Sequence, residues 1–146
     1  MQRMIAGAIG IAAGTDLGFL YADMDSPVLI SRVEVVTEQV LAGGEMHIKL
    51  HAFRLRNDCN YSENRTFYGD DGTSRSYSID SQRQGQPLGA VVEERHVRIP
   101  AGMSPGPAEM VLDAAFVCGA NWLQQWWPTT VSVRHIYFIV APPAVR

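Results

Sequence analysis

The side chains with chemical potential are few: two cysteines, four histidines, three tryptophans and a small group of clustered acids. Cys59 and Cys118 permit a single intrachain pair. Closing a loop of about 60 residues would stabilise a fold by roughly 4 kcal/mol in the chain-entropy model. We expect this disulfide if the chain leaves the reducing cytosol; two free thiols in a cytosolic chain are the alternative. His47 and His51 fall on one face of a strand but about 13 Å apart at roughly 3.3 Å per residue, too far to share a metal. His96 and His135 lie elsewhere with no cysteine or carboxylate at ligand spacing, so no metal and no cofactor is expected. Asp70-Asp71-Gly72, with Asp58 and Glu63 nearby, lacks the spacing of a calcium loop and reads as turn chemistry.

Trp122, Trp126 and Trp127 crowd the connection from Gly119 to Pro128, next to Cys118. Tryptophan joins a large apolar area to one donor. Three on a loop suit a protein hot spot, a sugar platform or a membrane-interface wedge, or else a lid closing one end of a fold together with Leu123. Asn60-Tyr61-Ser62 and Asn64-Arg65-Thr66 match the glycosylation rule, which acts only on a eukaryotic secretory route. There is no Gly-x-Ser-x-Gly elbow, phosphate-cradling glycine loop or zinc-protease motif, and the acids are too scattered to nominate a carboxylate pair. No catalytic residue is nominated, and we expect no enzyme.

These residues must be positioned by a small scaffold. The chain has 146 residues, enough for one compact domain. With 12 Lys+Arg against 15 Asp+Glu the net charge is −3, which supplies no basic field for phosphate backbones and excludes non-specific nucleic-acid binding. Thirteen Gly and eight Pro against 18% charged residues point to many turns and few surface helices, hence an all-β body.

Beyond Pro27 the apolar pattern has period two, broken by Gly, Pro, Asn and Asp clusters, which predicts about seven short antiparallel strands. Val28 to Thr37 is the first, with Val33 and Val35 inward. After the turn at Ala42-Gly43-Gly44-Glu45, Met46, Ile48, Leu50 and Ala52 alternate with polar partners in the clearest half-buried strand. The phase then moves to Phe53 and Leu55, which predicts a bulge. Arg65 to Tyr68 and Arg75 to Ile79 flank Gly69-Asp70-Asp71-Gly72 as a hairpin projecting from one end, whose Asp70 and Asp71 are candidate partner contacts. Ser81 to Gly89 is polar and reads as a loop or weak edge. Val91 to Ile99 is a strand stopped by Pro100, and Ala101 to Pro107 is a corner. Met110, Leu112, Ala114, Phe116 and Cys118 share one phase. Thr129 to Val140 is apolar on both phases and should be central or covered.

The strand, Gly-Gly turn and long strand ending near Cys59, followed by Ile99-Pro100-Ala101-Gly102, Pro105-Gly106 and a strand ending at Cys118, resemble an immunoglobulin-like sandwich. The same order is similar to small, uncharacterised, membrane-anchored proteins of tailed bacteriophages. In an immunoglobulin-like order the second and penultimate strands lie in opposite sheets with their ends at one pole, and the resemblance places the disulfide there. The chain departs from that pattern in having no Trp between the cysteines. What the resemblance implies is a structural or interaction role.

The N-terminal part differs from the body. Met4 to Ala13 has no polar side chain, and Ile5 to Ala22 would be about 27 Å long as a helix, slightly short of a hydrocarbon core of about 30 Å. Asp16 would cost roughly 2.5 to 3.5 kcal/mol near a membrane centre. Ala6, Gly10, Gly14 and Gly18 recur every four residues, the small-residue stripe of a helix-packing seam. Three readings stand for residues 1–26: a hydrophobic anchor helix through residues 5–22, a signal segment cleaved near Gly14, or an arm packed against protein. Arg3 before the apolar run and Asp23 and Asp25 after it would export the body, residues 27–146.

The expected function is a non-enzymatic interaction or structural module, facing the periplasm from a bacterial inner membrane or built into a virion. Its partner is a protein or its own copies. A periplasmic carbohydrate- or lipid-binding protein is the rival, and it requires a concave Trp-lined cleft.

Overall fold

A computed structural model describes residues 25–82, 86–119 and 122–143. The anchor, signal and packing readings of the N-terminal segment, with Ala6, Gly10, Gly14 and Gly18, fall outside those residues. Among the described residues no helix is long and apolar enough to cross a membrane.

The body is an all-β sandwich. Its strands are β1 (Val28–Val35), β2 (Gln39–Leu41), β3 (Glu45–Arg54), β4 (Cys59–Tyr68), β5 (Ser74–Gln82), β6 (Gly89–Arg98), β7 (Gly106–Cys118) and β8 (Thr129–Ala141). A one-turn 3-10 helix, Trp122–Gln125, joins β7 to β8. One sheet has the order β1-β3-β6, the other β2-β8-β7-β4-β5, and every pairing is antiparallel except β2 with β8. The count among the described residues is therefore eight, because Gln39–Leu41 is too short to show a period yet has a ready edge in β8.

The core follows the alternation. Met46, Ile48 and Leu50 of β3 pack against Phe67 of β4, Met110 of β7 and Ile136, Phe138 and Val140 of β8, with Val33 and Val35 closing the side. β8 lies inside its sheet between β2 and β7, yet Tyr137 and Ile139 on its outer face are exposed.

Two expectations are corrected. β3 has no bulge after Ala52: its register with β6 is unbroken from Glu45↔Arg98 to Arg54↔Gly89. The interior phase continues to Arg54, which is buried because Glu93 pairs with it, and Phe53 faces out. The register shifts lie instead between Ile30 and Arg32 in β1, and between Met110 and Leu112 of β7 where it meets β8. There β8 sets two residues against one of β7, a bulge of one extra residue, and one of the two, His135, has φ of 65°. The second correction is that the second long strand does not end near Cys59 but stops at Arg54. The chain changes sheets between Leu55 and Asp58, and Cys59 opens β4, which extends the strand read at Arg65 to Tyr68 back through a polar first half.

Candidate functional site

The two cysteines form a disulfide, Cys59–Cys118. It links neighbouring strands of one sheet, not the two sheets: Cys59 and Cys118 are register partners on β4 and β7, with Cα atoms 3.9 Å apart. One residue beyond, the Gly119 N–H donates to the Asp58 carbonyl at 3.0 Å. Cys59 and Cys118 thus occupy the close, non-hydrogen-bonded position of the ladder, where Cβ atoms approach most. The Cys118 N–H points toward β8, which starts too late to receive it. The side-chain Oε1 of Gln124, fully buried, accepts that hydrogen bond at 2.6 Å.

This pole gathers the ends of seven strands and the Trp-rich connection. Trp126 and Trp127 turn outward, 73% and 67% exposed, while their backbone N–H groups donate to the Leu123 carbonyl. Leu123 and Gln124 tuck beneath them, so these two close the pole and the two tryptophans do not. The Trp122 side chain lies outside the described residues. Arg56 grips Asp58 with two hydrogen bonds, Nε to Oδ1 at 3.0 Å and Nη2 to Oδ2 at 2.8 Å. Those bonds hold the Asp58 carboxyl below the ordinary carboxylate range. Asp58, Cys59 and Cys118 come within metal-ligating distance of one another. Their sulfurs are bonded to each other, however, and a disulfide offers no thiolate to a metal.

A cavity of about 40 Å³ runs between the sheets below this pole, walled by Pro27, Ile30, Leu50, Leu112, Phe116 and Val131 and flanked by Arg54 and Arg95. Its flank is an interior chain of charges: Arg54 pairs with Glu93, Arg95 with both Glu93 and Glu63, and Arg65 with Glu63. Burial opposes charge on Arg95, but Glu63 and Glu93 outweigh it and raise the guanidinium's pKa. Sequence reading missed this network. The available signal was the Glu-x-Arg pattern, Glu63 with Arg65 and Glu93 with Arg95, each on one face of its strand.

The hairpin at Asp70 and Asp71 does not project freely. Asp71 Oδ1 accepts hydrogen bonds from the Thr73 N–H at 3.0 Å and the Thr73 hydroxyl at 2.7 Å, and Oδ2 accepts one from Ser104. These bonds, Ser104 foremost, lower the Asp71 pKa to about 2 and tie the hairpin to the β6–β7 corner. Gly72 supplies the positive φ of the turn, 77°. Strand pairing also joins two histidines that spacing could not link. His47 and His96 are cross-strand partners with parallel rings 4.7 Å apart, while His51 pairs with Glu34.

No family model matches this chain, and no curated protein does. Among solved structures it is similar to a sporulation control protein from Bacillus subtilis, with a TM-score of 0.37 and 7% identity. That match covers 81% of this chain and 51% of the other, so the chain spans about half of that protein's length.

Proposed function

We propose that this protein is a non-enzymatic interaction or structural module, displayed outside a bacterial membrane or built into a phage particle through its apolar N-terminus. The observation that carries the reading is the outward pair Trp126 and Trp127, 73% and 67% exposed on the connection that follows Cys118 of the disulfide. Exposed large aromatics on a braced loop are what a protein interface uses as anchors. The disulfide fits an oxidising compartment or a particle surface. The immunoglobulin-like assignment belongs to the same proposal, supported by a β1-β3-β6 sheet opposite one that includes β8, β7 and β4. The carbohydrate- or lipid-binding rival calls for a Trp-lined cleft; the cavity at this pole is lined by aliphatic residues with Tyr61, Phe116 and the charges of Arg54, Glu63, Glu93 and Arg95, and no Trp is among its described lining residues.

Trp126→Ala with Trp127→Ala is the test. The full-length chain is purified with its partner from fractionated cells or particles, and the double variant should lose the partner while its Tm stays close to wild type. A large fall in Tm, or retention of the partner, overturns the reading.

A further inference from the structure

β5 alternates in sequence, yet no described strand packs over its apolar side. Register pairs Phe67 with Arg75, Arg65 with Tyr77 and Glu63 with Ile79, so Arg75, Tyr77 and Ile79 face the interlayer side. Phe67 and Tyr77 meet edge to face at 6.2 Å on that side. Even so, Tyr77 and Ile79 are 48% and 39% exposed. The cause is arithmetic: three strands cannot cover five. β1 packs on β8, β6 stands over β4 through the Arg95–Glu63 pair, and no described strand stands over β5. What remains is a groove of about 400 Å³ lined by Arg65, Phe67, Tyr77, Ile79, Arg98 and Ile99.

β6 reaches that groove at Arg98, and along the rest of its length no described strand pairs with the edge of β6 away from β3. The Ile99 N–H donates to Gly44 on the β3 side, and His47 directs its carbonyl to Val36 of the opposite neighbour. By the alternation of an antiparallel ladder, Val92, Glu94 and His96 then point their backbone N–H and C=O groups into the vacant position.

We propose that this position takes residues 15–24 of a second copy of the chain, added to β6 as a strand and laid over β5. The inference rests on the proposed role of the N-terminus as an attachment device and narrows it to attachment between copies. Geometry first restricts the occupant to a lone strand. A second folded copy cannot bring its own β6 alongside, because its β4 would lie about 10 Å beneath, in the space β5 already fills. Charge and pattern then select the segment. Groove residues include Arg65 and Arg98, with none acidic, and the Arg75 guanidinium lies at its far end against Gly102. The candidate segment carries Asp23, with Asp25 just beyond, both on the parity of Leu17, Phe19 and Tyr21, and it has no Lys or Arg. Leu17, Phe19 and Tyr21 recur with period two and present one apolar face to Tyr77 and Ile79. Residues 15–24 also match the ten-residue length of β6.

The test uses the full-length chain and two variants, Phe19→Glu in the arm and Ile79→Glu on the exposed face of β5, each verified as folded by far-UV circular dichroism. In sedimentation equilibrium the wild type should self-associate, and each variant should do so at least tenfold more weakly. An equimolar mixture of the two should recover association and stop at a dimer, since one partner keeps an intact groove and the other an intact arm. A synthetic peptide of residues 14–25 added to the Phe19→Glu chain should shift the amide resonances of Val92, Glu94 and His96. A wild type that is monomeric, a mixture that stays monomeric, or a peptide that shifts none of those amides overturns the inference. Those results leave the Trp126 and Trp127 experiment unaffected, so the two failures are distinguishable.

Discussion

Glu63 and Arg95 meet across the interior of the sandwich, one from each sheet, and Glu63 is only 1% exposed. Arg65 and Glu93 extend the pair on either side, and Arg54 ends the chain. Three guanidinium groups against two carboxylates leave the cluster one positive charge in excess. Removing one member of a buried pair strands its partner, which is what makes such pairs costly to break even where they contribute little net stability. Glu63→Gln is therefore expected to destabilise the protein by about 3–5 kcal/mol in urea unfolding. Glu63→Met with Arg95→Met should lose clearly less than the sum of the two single variants. Additive losses in that cycle would show that the pair is not coupled.

The same residues explain how far the sequence could be read. Val33, Met46, Ile48, Met110 and Leu112 alternate with polar neighbours, so their strands and inward faces were legible. The inward phase of β4 runs Cys59, Tyr61, Glu63, Arg65 and Phe67; the hairpin arm Arg65 to Tyr68 was legible, but the first half, with Glu63 on its buried side, shows no apolar alternation until its partners are known. Arg54 misled for the same reason: a bulge that would turn Phe53 inward is more natural than a buried guanidinium, unless Glu93, on the neighbouring strand opposite Leu50, is there to pair with it. The disulfide was legible as a pair, but its placement was not, because the crossing at Leu55 to Asp58 carries no apolar signal. The uncovered face of β5 was invisible to sequence, which records alternation but not the number of strands opposite.

Asp71 offers a pH test. Its folded pKa, about 2, lies below the ordinary 3.8, so its contribution is fully present above about pH 4 and is lost as pH falls from 3.8 through 2. Ser104→Ala removes the leading cause and should move the Asp71 carboxyl titration, followed by carbon NMR, upward toward 3.8. Asp71→Asn should flatten the dependence of Tm on pH in that window relative to wild type. A titration unmoved by Ser104→Ala would mean that the hairpin is not tied to the β6–β7 corner.

The disulfide closes a loop of about 60 residues, for which the chain-entropy model gives roughly 4 kcal/mol of stabilisation. Cys59→Ala with Cys118→Ala should reduce stability by about 2–5 kcal/mol. Because β4 and β7 stay hydrogen-bonded along their length, the far-UV spectrum should be preserved below the transition. Loss of strand signal at low temperature would show that the bridge is needed to form the sheet as well as to stabilise it.

Gln124 stands in for the piece of β8 that the chain does not supply. Its Oε1 receives the Cys118 N–H in a fully buried position, and its backbone belongs to the one-turn helix that carries Trp126 and Trp127 outward. Gln124→Leu keeps much of the volume but leaves that N–H without an acceptor, at an expected cost of about 1–3 kcal/mol. Gln124→Glu, which retains an acceptor oxygen, should bind the N–H but bury a charge, so its stability should recover as pH is lowered toward 4 and its carboxyl protonates. If Gln124→Leu unfolds at the wild-type midpoint, the buried amide is not what fixes the loop, and the orientation of the two tryptophans must come from the Leu123 turn alone.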